Sequence, residues 1–224
     1  MNKEIYLVQG VDTESYQDFS DRIFAVVAKA NSTFNPDAIK FTITEKAPPA
    51  ISIIPFSKRK LAAISVYNPH AAICEVFKNI AGFRGAYKVE EALPVSYQKT
   101  WIDGERTPGA CLLTLISKKK NIDYATFLHR WHNGHTPLSL KIHPLWNYVR
   151  NEVKEILTEN TAAFNGIVEE QMRTASDLLN PLKFFGNPLI IIPRMITVYA
   201  DTKSFIDYSS METYLAAEYL IKTK

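Results

Sequence analysis

The sequence predicts an α+β protein made of two tandem ferredoxin-like units, each with the order βαββαβ, packed sheet to sheet. Three observations lead to this class. The chain has 224 residues, enough for two units of roughly 100 residues each. Strand-like and helix-like patterns follow the same order twice. Between the two series, residues 101–109 combine glycines, proline and charges, which is typical of a linker.

Residues 1–100 are predicted to form the first unit. Four of its segments are apolar or alternating, which predicts strands at 4–10, 38–45, 61–67 and 85–97. The first helix is predicted from apolar residues at helical spacing: Tyr16, Phe19, Ile23, Val26 and Val27. The second helix is expected after the third strand, with Asn68 as its cap, Pro69 at its first position and Gly82 at its end.

Residues 110–224 are predicted to form the second unit in the same order. Its strands are expected at 110–117, 146–157, 165–172 and 211–222. The last is assigned from its place in the order, because its composition by itself favours a helix. Asp123 is suited to cap the first helix and Gly134 to end it. The apolar stripe of that helix is Tyr124, Phe127, Leu128 and Trp131. The second helix is expected to begin within 175–185.

The composition argues against several classes of protein. The net charge is only +3, without the concentrated basic face of a nucleic-acid-binding protein. Cys74 and Cys111 lie far apart and are predicted to be free thiols. The N-terminus lacks the apolar core of a secretion signal, and the apolar stretch 187–195 is too short to span a membrane. A cytoplasmic protein that does not bind membranes is therefore expected.

The motifs of several common enzyme classes are also missing from the sequence. It contains neither the G-x-G-x-x-G nor the G-x-x-x-x-G-K-[ST] pattern of nucleotide-binding loops. The G-x-S-x-G pattern of serine hydrolases does not occur either. A nucleotide cofactor and serine-based hydrolysis are therefore not expected.

Residues 130–153, RWHNGHTPLSLKIHPLWNYVRNEV, contain three of the five histidines and two of the three tryptophans. They begin a longer pattern: an aromatic helix ending W-x-x-x-H-x-P, a strand with Tyr and Asn, an Asn-Gly turn, Phe-Ile-Asp, and a strand carrying Glu. Its positions are Trp131, His135, Pro137, Tyr148, Asn151, Asn165, Gly166, Phe205, Ile206, Asp207 and Glu218. Together these residues resemble the EthD-like family over roughly 109–222.

The first unit lacks the W-x-x-x-H pattern and resembles the degenerate first half of long tandem members of that family. The resemblance implies a dimeric α+β barrel that closes within one chain, with the first unit in place of a partner subunit. A homodimer of two-unit chains stays open as an alternative. The two β-layers are expected to enclose an apolar chamber with His135 at its wall.

His135 and Tyr148 are the candidate catalytic residues. His135 follows the expected helix end, where the helix dipole favours a charged imidazolium. Histidine titrates near neutral pH, so it is the side chain most used to transfer protons. The alternative is that His135 caps helix carbonyls and packs on Trp131. Tyr148 would donate its hydroxyl to a developing oxyanion in a mostly apolar pocket.

Phe127, Trp131, Asn151 and Asp207 are the candidate substrate-binding residues. Phe127 and Trp131 share an apolar stripe, so both are expected in the core with part of a ring in the pocket. Tyr148 and Asn151 are an odd number of residues apart on a strand, so they face opposite sides. The cavity position is therefore given to Tyr148, and Asn151 is more simply explained as bracing a loop. Asp207 either orients a histidine or caps a turn.

No metal site is expected, because His129, His132 and His135 would fan around a helix and cannot share one ion. The family resemblance implies action on a small hydrophobic, aromatic or polyketide-like molecule without a cofactor, by oxygenation, cyclisation, decarboxylation or dehydration. It leaves open a non-catalytic binding protein that accompanies a degradative pathway. Haem held by a histidine is a third alternative.

Overall fold

The computed structural model describes residues 2–223, which contain eight strands that form one closed barrel. The strands are β1 (Lys3–Gln9), β2 (Ala38–Ile43), β3 (Leu61–Tyr67), β4 (Phe83–Val95), β5 (Ala110–Ile116), β6 (Leu145–Ile156), β7 (Gly166–Met172) and β8 (Glu212–Lys222). The helices are α1 (Tyr16–Phe34), α2 (Ile73–Lys78), α3 (Tyr124–His129), α4 (Thr136–Ile142), α5 (Ala175–Leu179), α6 (Pro181–Phe184) and α7 (Ile191–Phe205). A π-helical turn, Arg130–His135, joins α3 to α4.

The barrel closes within the single chain, as predicted. The strand order is β1-β3-β2-β8-β5-β7-β6-β4, so each unit contributes one antiparallel half-sheet of four strands. The half-sheets are joined edge to edge by backbone ladders between β2 and β8 and between β4 and β6. The predicted βαββαβ order is present in both halves, and the last strand is a strand despite its helix-like composition. Pairing on both edges with β2 and β5 explains why it is a strand.

Helices cover the outer face of each half-sheet. Ser15 caps α1 and forms a capping box with Asp18, and Phe19, Ile23 and Val27 are fully buried against the first half-sheet. Asp123 caps α3 as expected, accepting a hydrogen bond from the backbone of Thr126 at 2.7 Å. The other helices of the second half lie over β5 to β8.

The barrel interior is filled by side chains, which corrects the expectation of a chamber between the two β-layers. Aliphatic and aromatic residues fill part of it. At the other end, Lys40 bridges Glu169 and Glu218 at 3.1 and 2.8 Å, and Lys3 binds Asn151 at 2.7 Å. These side chains occupy the interior, and their charges are paired with one another, so none of them is left to bind a ligand. The cavity lies elsewhere.

Two helix boundaries and one whole helix differ from the sequence-based expectation. The second helix of the first unit begins at Ile73, not after Asn68, because Asn68 adopts a left-handed conformation with φ of 48°. Gly134 does not end its helix; the backbone continues through the π-helical turn into α4. The helix α7 was not predicted, because its start was interpreted only as an apolar stretch.

Cys74 and Cys111 are free, as predicted. No helix within residues 2–223 combines the length and the apolar character needed to cross a membrane.

Candidate functional site

A cavity of about 560 Å³ lies between the outer face of the second half-sheet and the helices that cover it. Strands β5 to β8 form its floor, and the π-helical turn, α4, α6, α7 and the segment 53–55 of the first half form its walls. Most of the lining is aliphatic or aromatic. The residues of its lining with polar side-chain groups are Thr114, His135, Ser139, His143, Tyr148, Glu170, Tyr199, Thr202, Tyr208 and Thr213. An apolar cavity with a few convergent polar groups is the usual form of a small-molecule site.

Strand alternation selects which residues face this cavity. On β7, Val168 and Glu170 point outward to the cavity, whereas Glu169 points into the barrel, where it pairs with Lys40. On β6, Tyr148 is directly opposite Glu170 in the antiparallel ladder. Residues opposite each other on one face of such a pair have Cβ atoms about 5 Å apart. The side chains of Tyr148 and Glu170 therefore lie next to each other on the cavity face of the sheet.

Glu170 is an acidic residue of the cavity lining whose pKa is strongly shifted. Its side chain is buried, and no hydrogen bond to it is found among residues 2–223. Burial in apolar surroundings raises the pKa of Glu170 from 4.5 to about 7, and the charge of His135 opposes this rise. A carboxyl that titrates near neutral pH and faces an apolar cavity can both release and accept a proton.

His135 is held at both ring nitrogens. Its Nδ1 is 2.7 Å from Oδ2 of Asp201 on α7, and its Nε2 is 3.0 Å from Oγ of Ser139, one helical turn onward. A carboxylate only accepts hydrogen bonds, so Nδ1 donates to Asp201, while Nε2 accepts from Ser139 in the neutral ring and donates to it in the imidazolium. The ring of Phe205 packs on the imidazole at 5.6 Å between centroids. The orientation of His135 is therefore fixed by three contacts from two helices, α4 and α7.

Tyr148 is fully buried, and its hydroxyl has no hydrogen-bond partner within residues 2–223. Burial, together with the nearby charge of Glu170, raises the pKa of Tyr148 well above its usual value. The hydroxyl therefore stays protonated and available as a donor. Thr136 and Trp131 lie beside this hydroxyl without a hydrogen bond of good geometry, so it is a candidate donor to a ligand.

Trp131 is 1% exposed and forms part of the cavity wall. Its ring lies so close to Gly166 that a Cβ there would come within 2.5 Å of Trp131. This contact explains the Asn-Gly pair, because only glycine leaves room for the indole. Phe127 packs behind Trp131 at 5.5 Å and against Phe205 at 5.9 Å, and it does not line the cavity.

Besides Phe127, two more expected substrate-binding residues lie away from the cavity. Asn151 points into the barrel, where it contacts Lys3 and the carbonyl of Ile167. Its odd separation from Tyr148 produces this opposite orientation, and it corrects the assignment of Asn151 to the substrate site. Asp207 accepts hydrogen bonds from the backbone and hydroxyl of Ser209, so it caps a turn. The carboxylate that orients His135 is Asp201 instead.

Among the polar residues at the cavity that were not identified from the sequence, Ser139, His143, Glu170 and Asp201 bear most directly on its chemistry. The spacing of four between His135 and Ser139 is a helical signal, and it was missed because the helix was expected to end at Gly134. His143 donates from Nδ1 to the carbonyl of Phe184 at 3.1 Å and stacks on its ring. Burial lowers the pKa of His143 to about 4, so this ring is neutral.

Two observations concern a metal ion or a haem at this site. In the described part of the chain, 2–223, no three histidine, cysteine or acidic side chains are close enough to hold a metal ion. A haem ligand needs a free imidazole nitrogen. Both nitrogens of His135 are engaged, so this ring does not fit that role.

Comparison with known proteins supports the fold. The structure is similar to an anthrone oxidase-like protein, with a TM-score of 0.60 and 9% identity over 100% of this chain and 92% of that one. It is also similar to a candidate monooxygenase of Fusobacterium nucleatum, with a TM-score of 0.53 and 13% identity over 99% and 92%. A candidate monooxygenase of Lactobacillus acidophilus gives 0.50 and 10% over 97% and 93%. No family model and no curated protein matches the chain. At these identities the likeness establishes an α+β barrel fold.

Proposed function

We propose that this chain is an EthD-like α+β barrel protein that binds a small aromatic or polyketide-like molecule in the cavity and removes a proton from it. The observation that carries the proposal is the buried pair formed by Glu170 and Tyr148, a proton acceptor and a hydroxyl donor opposite each other in an apolar cavity. The motif residues quoted from 131 to 218 support the family. The neighbours named as oxidase-like and monooxygenase-like support a ligand of this class.

Glu170 in its carboxylate form takes a proton from a carbon or oxygen that is conjugated with a ligand carbonyl. The electron pair of the broken bond moves onto the carbonyl oxygen, which becomes an enolate or phenolate. The Tyr148 hydroxyl donates a hydrogen bond to this oxygen and stabilises its charge. This proton removal starts an oxygenation, a cyclisation or a dehydration and needs no cofactor, whereas a decarboxylation reaches the same enolate by loss of carbon dioxide.

His135 acts on this step through its charge and its position. Its proximity lowers the proton affinity of Glu170, which keeps part of the carboxyl ionised at neutral pH. Because both of its nitrogens are bonded within the protein, Glu170 is the more direct acid–base group.

Both ring nitrogens of His135 are hydrogen-bonded within the protein, and this supports a second candidate function. The protein would then bind the ligand without converting it. In that case His135, Trp131 and Tyr148 only shape the cavity, and the protein accompanies a degradative pathway. The two functions differ in turnover and agree in binding.

Anthrone, a tricyclic aromatic ketone with an acidic methylene group, is a suitable first probe. Binding is measured as a rise in melting temperature, since a ligand of the native state stabilises it by mass action. Conversion under air is measured by the loss of anthrone in chromatography. We expect binding and conversion by the wild type, and conversion lost in Glu170→Gln while binding persists. The matched control is Glu155→Gln, which changes an exposed carboxyl on β6. Binding without conversion supports the second function, and absence of binding contradicts both.

A further inference from the structure

The chain of hydrogen bonds through Asp201, His135 and Ser139 has the geometry of an activated nucleophile. We propose that Ser139 attacks carboxylic esters in the cavity, with His135 as the base and Asp201 as the residue that positions the base. The substrate class is an ester or thioester with a hydrophobic acyl group. This activity goes beyond the proposed proton removal by Glu170 and does not depend on it.

The distances fit the roles. A nucleophile and its base must lie within hydrogen-bond reach, about 2.6–3.2 Å, with the base oriented by a third group. Here Oγ of Ser139 is 3.0 Å from Nε2 of His135, and Nδ1 of His135 is 2.7 Å from the Asp201 carboxylate. Such an arrangement is recognised by its geometry and not by a sequence motif. The missing G-x-S-x-G pattern therefore excludes one local architecture and not the chemistry.

The hydrogen bonding of Ser139 is unusual for its position. A serine inside a helix ordinarily points to solvent or bonds the carbonyl four residues earlier. Ser139 is 1% exposed, and its hydroxyl bonds the ring of His135, the residue four positions earlier. The local backbone does not need this bond, because Ser139 already accepts from His143 through its carbonyl. Ser139 lines the cavity, where an acyl group would lie.

The reaction is balanced with water as the second reactant. Oγ of Ser139 forms a bond to the ester carbonyl carbon, and its proton moves to Nε2 of His135. The carbon–alkoxy bond then breaks, and the alcohol leaves with that proton. Water adds to the acyl-serine in the same way and releases the carboxylic acid, which restores Ser139. The unpartnered hydroxyl of Tyr148 is the donor expected for the carbonyl oxygen in both steps.

The test uses the intact protein and an alkyl fluorophosphonate, which phosphonylates activated serines and releases fluoride. We expect one adduct by intact mass, located on Ser139 by peptide mapping. The adduct is absent in Ser139→Ala and retained in Ser176→Ala, which removes an exposed serine of α5. Circular dichroism verifies the fold of each variant. An unlabelled wild type, or an adduct on another residue, overturns the proposal.

Asp201→Asn tests the positioning role without removing the nucleophile. Loss of the oriented base slows labelling of Ser139 by about 10³-fold or more. The pH profile of the labelling rate also changes, which a purely structural role of Asp201 would not cause. Equal labelling rates and pH profiles in the two proteins overturn the assignment.

The anthrone melting shift, measured on the same samples, separates this inference from the proposed function. A shift without an adduct overturns the role of Ser139 and leaves the proton-removal site standing. An adduct without a shift supports Ser139 and contradicts the aromatic ligand.

Discussion

Replacing Glu170 by glutamine is expected to change the pH dependence of stability in a defined way. Burial raises the pKa of Glu170 from 4.5 to about 7 in the folded protein. The folded state therefore binds this proton more tightly than the unfolded chain. The stabilisation is complete below about pH 4.5 and is lost as the pH rises through about 7. Glutamine resembles the protonated carboxyl at every pH, so the variant does not suffer this loss.

The magnitude follows from the pKa difference. One pKa unit corresponds to 1.36 kcal/mol, so a rise from 4.5 to about 7 amounts to about 3 kcal/mol. The residue is 8% exposed, so solvent screening reduces this little. Glu170→Gln is thus expected to match the wild type near pH 4.5 and to exceed it by about 3 kcal/mol at pH 8 to 9. For a chain of this length that difference raises the melting temperature by roughly 6–12 °C.

The assay is urea unfolding of both proteins at several pH values between 4.5 and 9. Glu155→Gln provides the control, because its carboxyl is exposed on β6 and its loss should leave the curve of the wild type unchanged. If the stability difference between the wild type and Glu170→Gln stays constant over this range, the ionisation of Glu170 is not coupled to folding. The reasoning about its buried environment would then be wrong.

Three further predictions concern neighbouring groups. Tyr148→Phe removes a hydroxyl without a partner, so the free energy of unfolding should stay level or rise by about 1 kcal/mol. Anthrone should bind more weakly to this variant. A loss of more than about 2 kcal/mol in urea unfolding would show that the hydroxyl is hydrogen-bonded within the protein. Lys40→Met removes a positive charge that pairs with Glu169 inside the barrel, so the free energy of unfolding should fall by about 3–5 kcal/mol in the same assay. An unchanged midpoint would contradict this. His135→Gln removes the charge that lowers the pKa of Glu170, so the stability profile should shift to higher pH, and a shift to lower pH would refute the coupling.

The strands were predictable because each leaves a local signal. Alternation marks the two faces of β2, and continuous apolar runs mark β3 and β5, which are covered on both faces. The order of these signals then gave β8 its place although its composition favours a helix. The order of the predicted elements along the chain was therefore a more reliable guide to the topology than the composition of any single element.

The helix ends were less predictable because they depend on contacts beyond the local sequence. Gly134 often marks a helix end, but here the π-helical turn carries the backbone through it without a positive φ. That continuation is what places Ser139 one turn after His135. The unpredicted helix α7 supplies Asp201 from 66 residues away. No local pattern records such a contact, so the hydrogen-bonded chain through His135 could be recognised only after folding.

The two halves differ in what fills the space between sheet and helices. In the first half, Tyr6 and Phe77 contact at 4.6 Å, and Phe41 packs edge-on against Phe24, with all these rings in one continuous core. In the second half, the corresponding space holds the cavity and its polar groups. The first half therefore acts as the structural partner of the second, which agrees with the absence of a W-x-x-x-H pattern there.

The adjacent residues Glu169 and Glu170 show how the barrel separates stability from chemistry. Burial acts on both to raise the pKa, but the charge of Lys40 overcomes it for Glu169 and lowers that pKa to about 2. Glu170, on the other face of the same strand, has no such cation and its pKa is raised to about 7. Two adjacent residues therefore have carboxyls of different character. Glu169 is a charged carboxylate that pairs inside the barrel, and Glu170 changes its protonation near neutral pH. Because strand alternation alone creates this division, moving the β7 register by one residue would exchange the two environments and eliminate both functions.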